Sequence, residues 1–200
     1  MTLKDTFFSQ LAERPAGLER NSLFLALLSA EMKARGHKQP VAVGGFAVEA
    51  YTLGRFMSLD IDIIGNREGL TEIFQELGFS SFDGRNWIHA TLDIHVDIQG
   101  GTINIPGGDA RVEDVEVPGG YIIKLVSLTD IVVDRISAYA SGHKDSATQA
   151  VAILSAWRNH IDLDVVREIC GQERASTECE EVIELALRHG RDSMPGQKPI

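Results

Sequence analysis

Val41-Ala42-Val43-Gly44-Gly45-Phe46, then about one helix of chain, then Ser58-Leu59-Asp60-Ile61-Asp62-Ile63-Ile64: this stretch decides the fold. Pro40 to Val43 reads as a short apolar strand running into the paired glycine. A helix over 46–53 stops at Gly54, and the next strand spans 59–64. Alternate strand residues face the same side, so Asp60 and Asp62 point together while Leu59, Ile61 and Ile63 point into a core. At a backbone separation of roughly 7 Å, the two carboxylates repel unless something positive lies between them. A divalent cation answers that need, and so would an arginine such as Arg55, just ahead of the strand. A strand ending in Gly-Gly before a helix lets backbone N–H groups approach a phosphate, although the same pair also makes a tight packing turn. No third glycine follows at dinucleotide-fold spacing, and no Gly-Lys-Ser/Thr is present for a P-loop.

A second alternating stretch, Leu92-Asp93-Ile94-His95-Val96-Asp97-Ile98, places Asp93, His95 and Asp97 on one strand face. Asp97, at the C-terminal end of its strand, is the acid expected to complete a triad with Asp60 and Asp62. Asp93, at the opposite end, reads as solvated. His95 reads as a structural histidine, either partly exposed or hydrogen-bonded to a carboxylate. As a metal ligand it would suit zinc or manganese and a metal-dependent phosphohydrolase. Three acids on two strands beside a glycine turn point to metal-dependent phosphoryl transfer chemistry.

The rest of the chain fills in around this. Helices are predicted over 3–13, over 21–35 with Asn21 as its cap, and over 68–77 up to Gly78. Trp87-Ile88-His89 is expected to pair antiparallel with the strand 92–98. Ile103–Ile105 and an edge strand Val112–Val117 follow, closed by Pro118-Gly119-Gly120. After Tyr121 the composition changes, and from Ser127 onward the periodicity is helical, with a break near 121–127, Leu125 to Asp130 leading into a capped helix, and helices at 128–141, 145–160, 162–171 and 176–189. The expected organisation is an α/β (α+β) domain over 1–124, a helical segment over 125–192, and a disordered tail over 193–200. The fold class is a short mixed sheet flanked by helices.

Composition limits the function classes. The chain has 200 residues, 44% of them hydrophobic, and a net charge of −10. That size supports a real core, and the acidic balance argues against a general nucleic-acid coat. Cys170 and Cys179 are the only cysteines, without a CxxC pair, so a zinc knuckle or disulfide framework is not expected. The N-terminus lacks a signal-peptide apolar region and no apolar run reaches spanning length, so a cytoplasmic protein with no membrane partner is expected.

The pattern over Val41–Arg55 and Ser58–Ile64, with a lone aspartate on a later strand, resembles the nucleotidyltransferase (polymerase-beta-like) superfamily, above all its minimal, abortive-infection toxin–antitoxin type. The resemblance covers about residues 39–99, and the helices around His143-Lys144-Asp145 resemble that type's helical part. It implies that Asp60, Asp62 and Asp97 hold Mg2+ (or Mn2+) and that Asp97 helps activate an attacking hydroxyl. Gly44 and Gly45 would contact the triphosphate of an NTP, with Arg55, Ser58, Arg135 and Lys144 as further nucleotide contacts. Two positions depart from the pattern. Gly45 stands where many relatives carry a serine, and Asp134-Arg135 stands where relatives often place a lysine. Lys124 is another candidate phosphate partner.

The function these features imply is transfer of a nucleoside monophosphate from an NTP to a hydroxyl on a protein or RNA acceptor. The alternative is a catalytically inactive member that binds a nucleotide or a partner, as half of a toxin–antitoxin pair.

Overall fold

The computed structural model describes residues 2–100, 104–105, 108–109 and 111–189. The described residues form two compact units: those up to 100 with 113–125, and those within 103–112 with 126–189. The tail expected over 193–200 and the first residue of the strand expected over 103–105 lie outside the described residues.

The first unit opens with α1 (Leu3–Leu11), started by a capping box in which Thr2 and Asp5 exchange hydrogen bonds, and α2 (Leu18–Ala34). Then come β1 (Val41–Ala42), α3 (Gly44–Tyr51), β2 (Ile61–Ile64) and α4 (Arg67–Leu77). The Asn66 side chain caps α4 by accepting from the Gly69 N–H, and Gly78, at positive φ, ends it. β3 (Ser80–Ser81), β4 (Asn86–His89) and β5 (Ile94–Gly100) form a meander. The two-residue strands β6 (Asn104–Ile105) and β7 (Gly108–Asp109), which belong to the second unit, pair with each other. β8 (Val112–Val117) and β9 (Tyr121–Val126) rejoin the main sheet.

Seven strands lie in the order β3-β4-β5-β2-β1-β9-β8. β1 runs antiparallel to β2 and parallel to β9, and β2 runs parallel to β5, so the sheet is mixed, as expected. Register divides its faces. Trp87 lies opposite Val96, which lies beside Ile61, and this face packs on the helices. Phe24 of α2 stacks on Phe74 of α4 at 6.3 Å between ring centres, Phe74 on Phe79 at 5.1 Å, and Phe74 meets Trp87 at 5.4 Å. Each such aromatic taken from water contributes about 1.5–3 kcal/mol, which makes this cluster the anchor of the unit. The opposite face carries Asp62, His95 and Asp97.

The second unit contains, besides β6 and β7, α5 (Leu128–Ala140), α6 (Asp145–Trp157), a 3-10 turn (Arg158–His160), α7 (Leu163–Gln172) and α8 (Ser176–His189). Ser127 caps α5 and Asp162 caps α7 through their side chains. Cys170 and Cys179 are buried and unbridged.

Four expectations are corrected. α2 starts at Leu18 after Gly17, so Asn21 lies inside the helix. α3 starts at Gly44 itself, not at 46. β2 starts at Ile61, and Leu59, expected to be a core residue, is 93% exposed. The segment 121–126, read as a break before helices, is a strand whose Leu125 pairs with Ala42. Ile123 and Leu125 are buried while Ile122, on the other face, is 56% exposed, so an apolar residue on the open face hid the strand's alternation.

Candidate functional site

The acids converge because of strand register. Asp62 and Asp97 are direct partners on the adjacent parallel strands β2 and β5, so their side chains leave the sheet on one face. Asp60 sits just before β2, and ligand oxygens of Asp60, Asp62 and Asp97 all lie within 4.8 Å of one another. His95 is not part of this group; it faces Asp93 at 3.6 Å, and both are exposed.

α3 points its N-terminus at the cluster. The Gly45 N–H donates to Asp62 Oδ2 at 2.9 Å, at the end of the helix where the aligned peptide dipoles favour negative charge. Gly44 has φ +55, and a Cβ on it would lie 2.4 Å from Asp62 Oδ2. Only glycine permits that approach. A Cβ on Gly45 would lie 2.6 Å from Ser58 Oγ. The Ser58 hydroxyl therefore occupies the space beside the second glycine and donates a long bond of 3.4 Å to Asp60 Oδ1. Glu49, buried on α3, accepts from the Ser58 N–H at 3.1 Å and so pins the loop that delivers Asp60. An acid in the apolar stretch Phe46–Tyr51 was the available sequence signal for this.

Two residues that sequence reasoning missed complete the cluster. Arg85 grips Asp97 with both arms of its guanidinium, Nε to Oδ1 at 2.6 Å and Nη2 to Oδ2 at 2.8 Å. Gln99 donates from Nε2 to Asp62 Oδ1 and to Asp97 Oδ2, each at 2.8 Å. Gln99 was findable, being two residues past Asp97 on the same strand face. Arg85 was not, because it reaches Asp97 across the β4–β5 pairing.

Electrostatically the site is short of positive charge. Burial raises the Asp62 carboxyl above its ordinary range, and Asp60 and Asp97 add to the rise against the hydrogen bonds from Gln99 and Gly45. Three carboxylates share one guanidinium. The donor set, all carboxylate oxygen, suits a hard cation such as Mg2+ or Mn2+, and Arg85 already acts as a positive stand-in on Asp97.

The other expected contacts are engaged otherwise or belong to the second unit. Arg55 makes no ion pair with Asp60 or Asp62; its guanidinium lies over the Phe56 ring at 5.7 Å. The arginine alternative to a cation therefore fails for Arg55. Lys124 pairs with Asp114 at 2.7 Å. Arg135 and Lys144 belong to the helical unit, where Arg135 pairs with its neighbour Asp134 and Lys144 immediately precedes α6.

No protein-family model matches the chain, and no curated protein matches it. Solved structures do. An antigenic nucleotidyltransferase-like protein from Paracoccidioides brasiliensis superposes with TM-score 0.55 at 11% identity, over 88% of this chain and 95% of its own. The fold is nucleotidyltransferase-like. ANT(2″)-Ia, in complex with adenylyl-2″-tobramycin, matches with TM-score 0.50 at 19% identity, over 84% of this chain and 99% of its own. The solution structure of the same antibiotic-resistance factor matches with TM-score 0.52 at 19% identity, over 88% and 97%. Within this nucleotidyltransferase-like fold, the three acids on β5 and at the start of β2 face the N-terminus of α3. Among the described residues no helix is long and apolar enough to cross a membrane.

Proposed function

We propose that the protein is a metal-dependent nucleotidyltransferase that moves a nucleoside monophosphate from an NTP to an acceptor hydroxyl. The observation that carries this reading is the convergence of Asp60, Asp62 and Asp97 within 4.8 Å beside the glycine-started N-terminus of α3. Asp60, Asp62 and Asp97 would hold Mg2+ or Mn2+, which when bound supplies charge neutralisation for the phosphate oxygens.

The chain's own groups do the rest. The backbone at Gly44 and Gly45 and the Ser58 hydroxyl bind and orient the triphosphate at the helix terminus. The acceptor oxygen attacks the α-phosphorus in line, the bond from that phosphorus to the bridging oxygen breaks, and pyrophosphate leaves. Asp97 takes the proton of the attacking hydroxyl at a carboxylate oxygen. Arg55, Arg135 and Lys144 are proposed as cations for the nucleotide on the sequence resemblance alone.

A protein or RNA hydroxyl is one acceptor class; a small polyamine sugar of the kind joined to adenylate in the ANT(2″)-Ia complex is another. A net charge of −10 draws cationic acceptors and repels RNA, and so favours the second. The assay is label transfer from α-labelled NTP with pyrophosphate release, run across these acceptor classes. Asp60→Ala and Asp62→Ala should abolish both signals in folded protein. Undiminished transfer in the two variants, or release of orthophosphate instead, would overturn the assignment.

One observation favours a second reading, in which the protein binds nucleotide without turnover and acts through a partner such as a cognate toxin or antitoxin. Both Asp97 oxygens are already engaged by Arg85. Calorimetric binding of NTP with Mg2+, with no pyrophosphate released in the presence of any acceptor, would establish it.

A further inference from the structure

We infer that Arg85 is the built-in counter-ion of Asp97, that it competes with the metal for this carboxylate, and that it thereby sets the affinity of the site for its cation. The inference rests on the metal-site reading above and adds a residue that reading does not use.

Five hydrogen bonds, from four donor atoms, engage every oxygen of the two carboxylates nearest the centre. Asp97 Oδ1 accepts from Arg85 Nε, and Oδ2 accepts from both Arg85 Nη2 and Gln99 Nε2. Asp62 Oδ1 accepts from Gln99 and Oδ2 from the Gly45 N–H. Asp60 alone is left with only a long contact, from Ser58. A divalent ion held by the three acids would share the Asp97 carboxylate with the guanidinium, and the two donors on Oδ2 leave that oxygen no lone pair for it. The two positive charges also repel across the same carboxylate.

The geometry gives Arg85 room to move. Its side chain is half exposed, whereas that of Asp97 is only 11% exposed. Its backbone is clamped: Asp83 Oδ1 accepts from the Arg85 and Asn86 N–H groups at 2.8 and 2.7 Å, and Asp83 Oδ2 accepts from Asn86 Nδ2 at 2.6 Å. These bonds hold the Asp83 carboxyl far below the ordinary range, so the clamp keeps its charge throughout the working pH range. The side chain can thus swing from a fixed pivot while the β3–β4 turn stays put. Gln99, hydrogen-bonded to Arg85 Nη2 at 3.0 Å through its Oε1, links that swing to Asp62. In the metal-free protein this arrangement also spares a carboxylate cluster the repulsion it would suffer alone.

Mn2+ titration without nucleotide, followed by the EPR signal of free ion, tests this on the wild type, Arg85→Gln, Arg85→Lys and Asp62→Asn. Removing the competing charge-assisted pair should tighten Mn2+ binding by about tenfold in Arg85→Gln. Arg85→Lys, which keeps the charge but not the fork, should fall between it and the wild type. Asp62→Asn should bind little or none. A direct readout is the 15N–1H signal of Arg85 Nε, assigned by its loss in Arg85→Lys, which should shift on adding diamagnetic Mg2+. Equal or weaker Mn2+ binding in Arg85→Gln, with the Nε signal unmoved by Mg2+, would overturn the counter-ion role and leave the metal site standing. No Mn2+ binding by either wild type or Arg85→Gln at millimolar concentration would overturn both.

Discussion

Gly44 and Asp62 are packed so closely that position 44 has no space for a side chain: a Cβ there would stand 2.4 Å from Oδ2 and 2.8 Å from Cγ of Asp62. The backbone at Gly44 is also left-handed, at φ +55. Gly44→Ala therefore meets backbone strain and a collision together, and should cost about 2–4 kcal/mol of unfolding free energy in urea titrations. A loss below about 0.5 kcal/mol would mean that the close approach is not a constraint.

Gly45 makes a milder case. Its φ is not in the left-handed range, and the atom a Cβ would meet, Ser58 Oγ, can rotate away. Gly45→Ala should cost less than about 1 kcal/mol, and the cost should shrink in a Ser58→Ala background. A double-mutant cycle in urea reads this coupling. Strict additivity would show that the two positions do not share the space.

Metal binding should be visible as stability. A ligand that binds only the folded state at a hundred times its dissociation constant adds about 2.7 kcal/mol. Mn2+ should raise the melting temperature of the wild type in a concentration-dependent way and leave that of Asp62→Asn unchanged. Equal shifts in both would place the ion elsewhere.

Glu49 ties stability to pH. Burial raises its carboxyl above its ordinary value of 4.5, against the bond from the Ser58 N–H. Because the folded protein holds this proton more tightly than the unfolded chain, stability on this account is greatest below about 4.5 and is lost as pH rises through the folded value. Glu49→Gln keeps an acceptor for the Ser58 N–H and cannot ionise. It should melt higher than the wild type at pH 7, with the difference closing as pH falls toward 4. A difference that stays constant with pH would contradict this.

In the helical unit, Asp130 is buried and accepts from the Arg111 N–H at 2.8 Å, from Arg111 Nη2 at 2.7 Å and from Ser127 Oγ at 2.9 Å. Asp130→Ala strips these donors of their partner and should destabilise the protein by about 3 kcal/mol, measured by denaturant unfolding. Asp130→Asn, which keeps an acceptor but no charge, should cost less.

The local chemistry of this protein was written in the chain. Strand–Gly-Gly–helix punctuation, the Asp60-x-Asp62 spacing and the period-two run to Asp97 each follow from backbone geometry acting over a few residues. They were enough to anticipate a mixed sheet and three gathered acids. Local pattern failed where an apolar residue lies on the open face of a strand, as Ile122 does in β9, and where a hydrophobic residue in an alternating run falls just outside the strand, as with Leu59.

Which cation would meet Asp97 was settled by tertiary structure alone. Arg55, close in sequence to Asp60 and Asp62, turns to Phe56, while Arg85 arrives through the register that sets Asn86 opposite Asp97 on β4 and β5. No periodicity encodes that pairing, because it depends on a turn clamped by Asp83 and on the order in which strands assemble. Sequence determined that three carboxylates would share a place; the packing of the sheet decided what neutralises them.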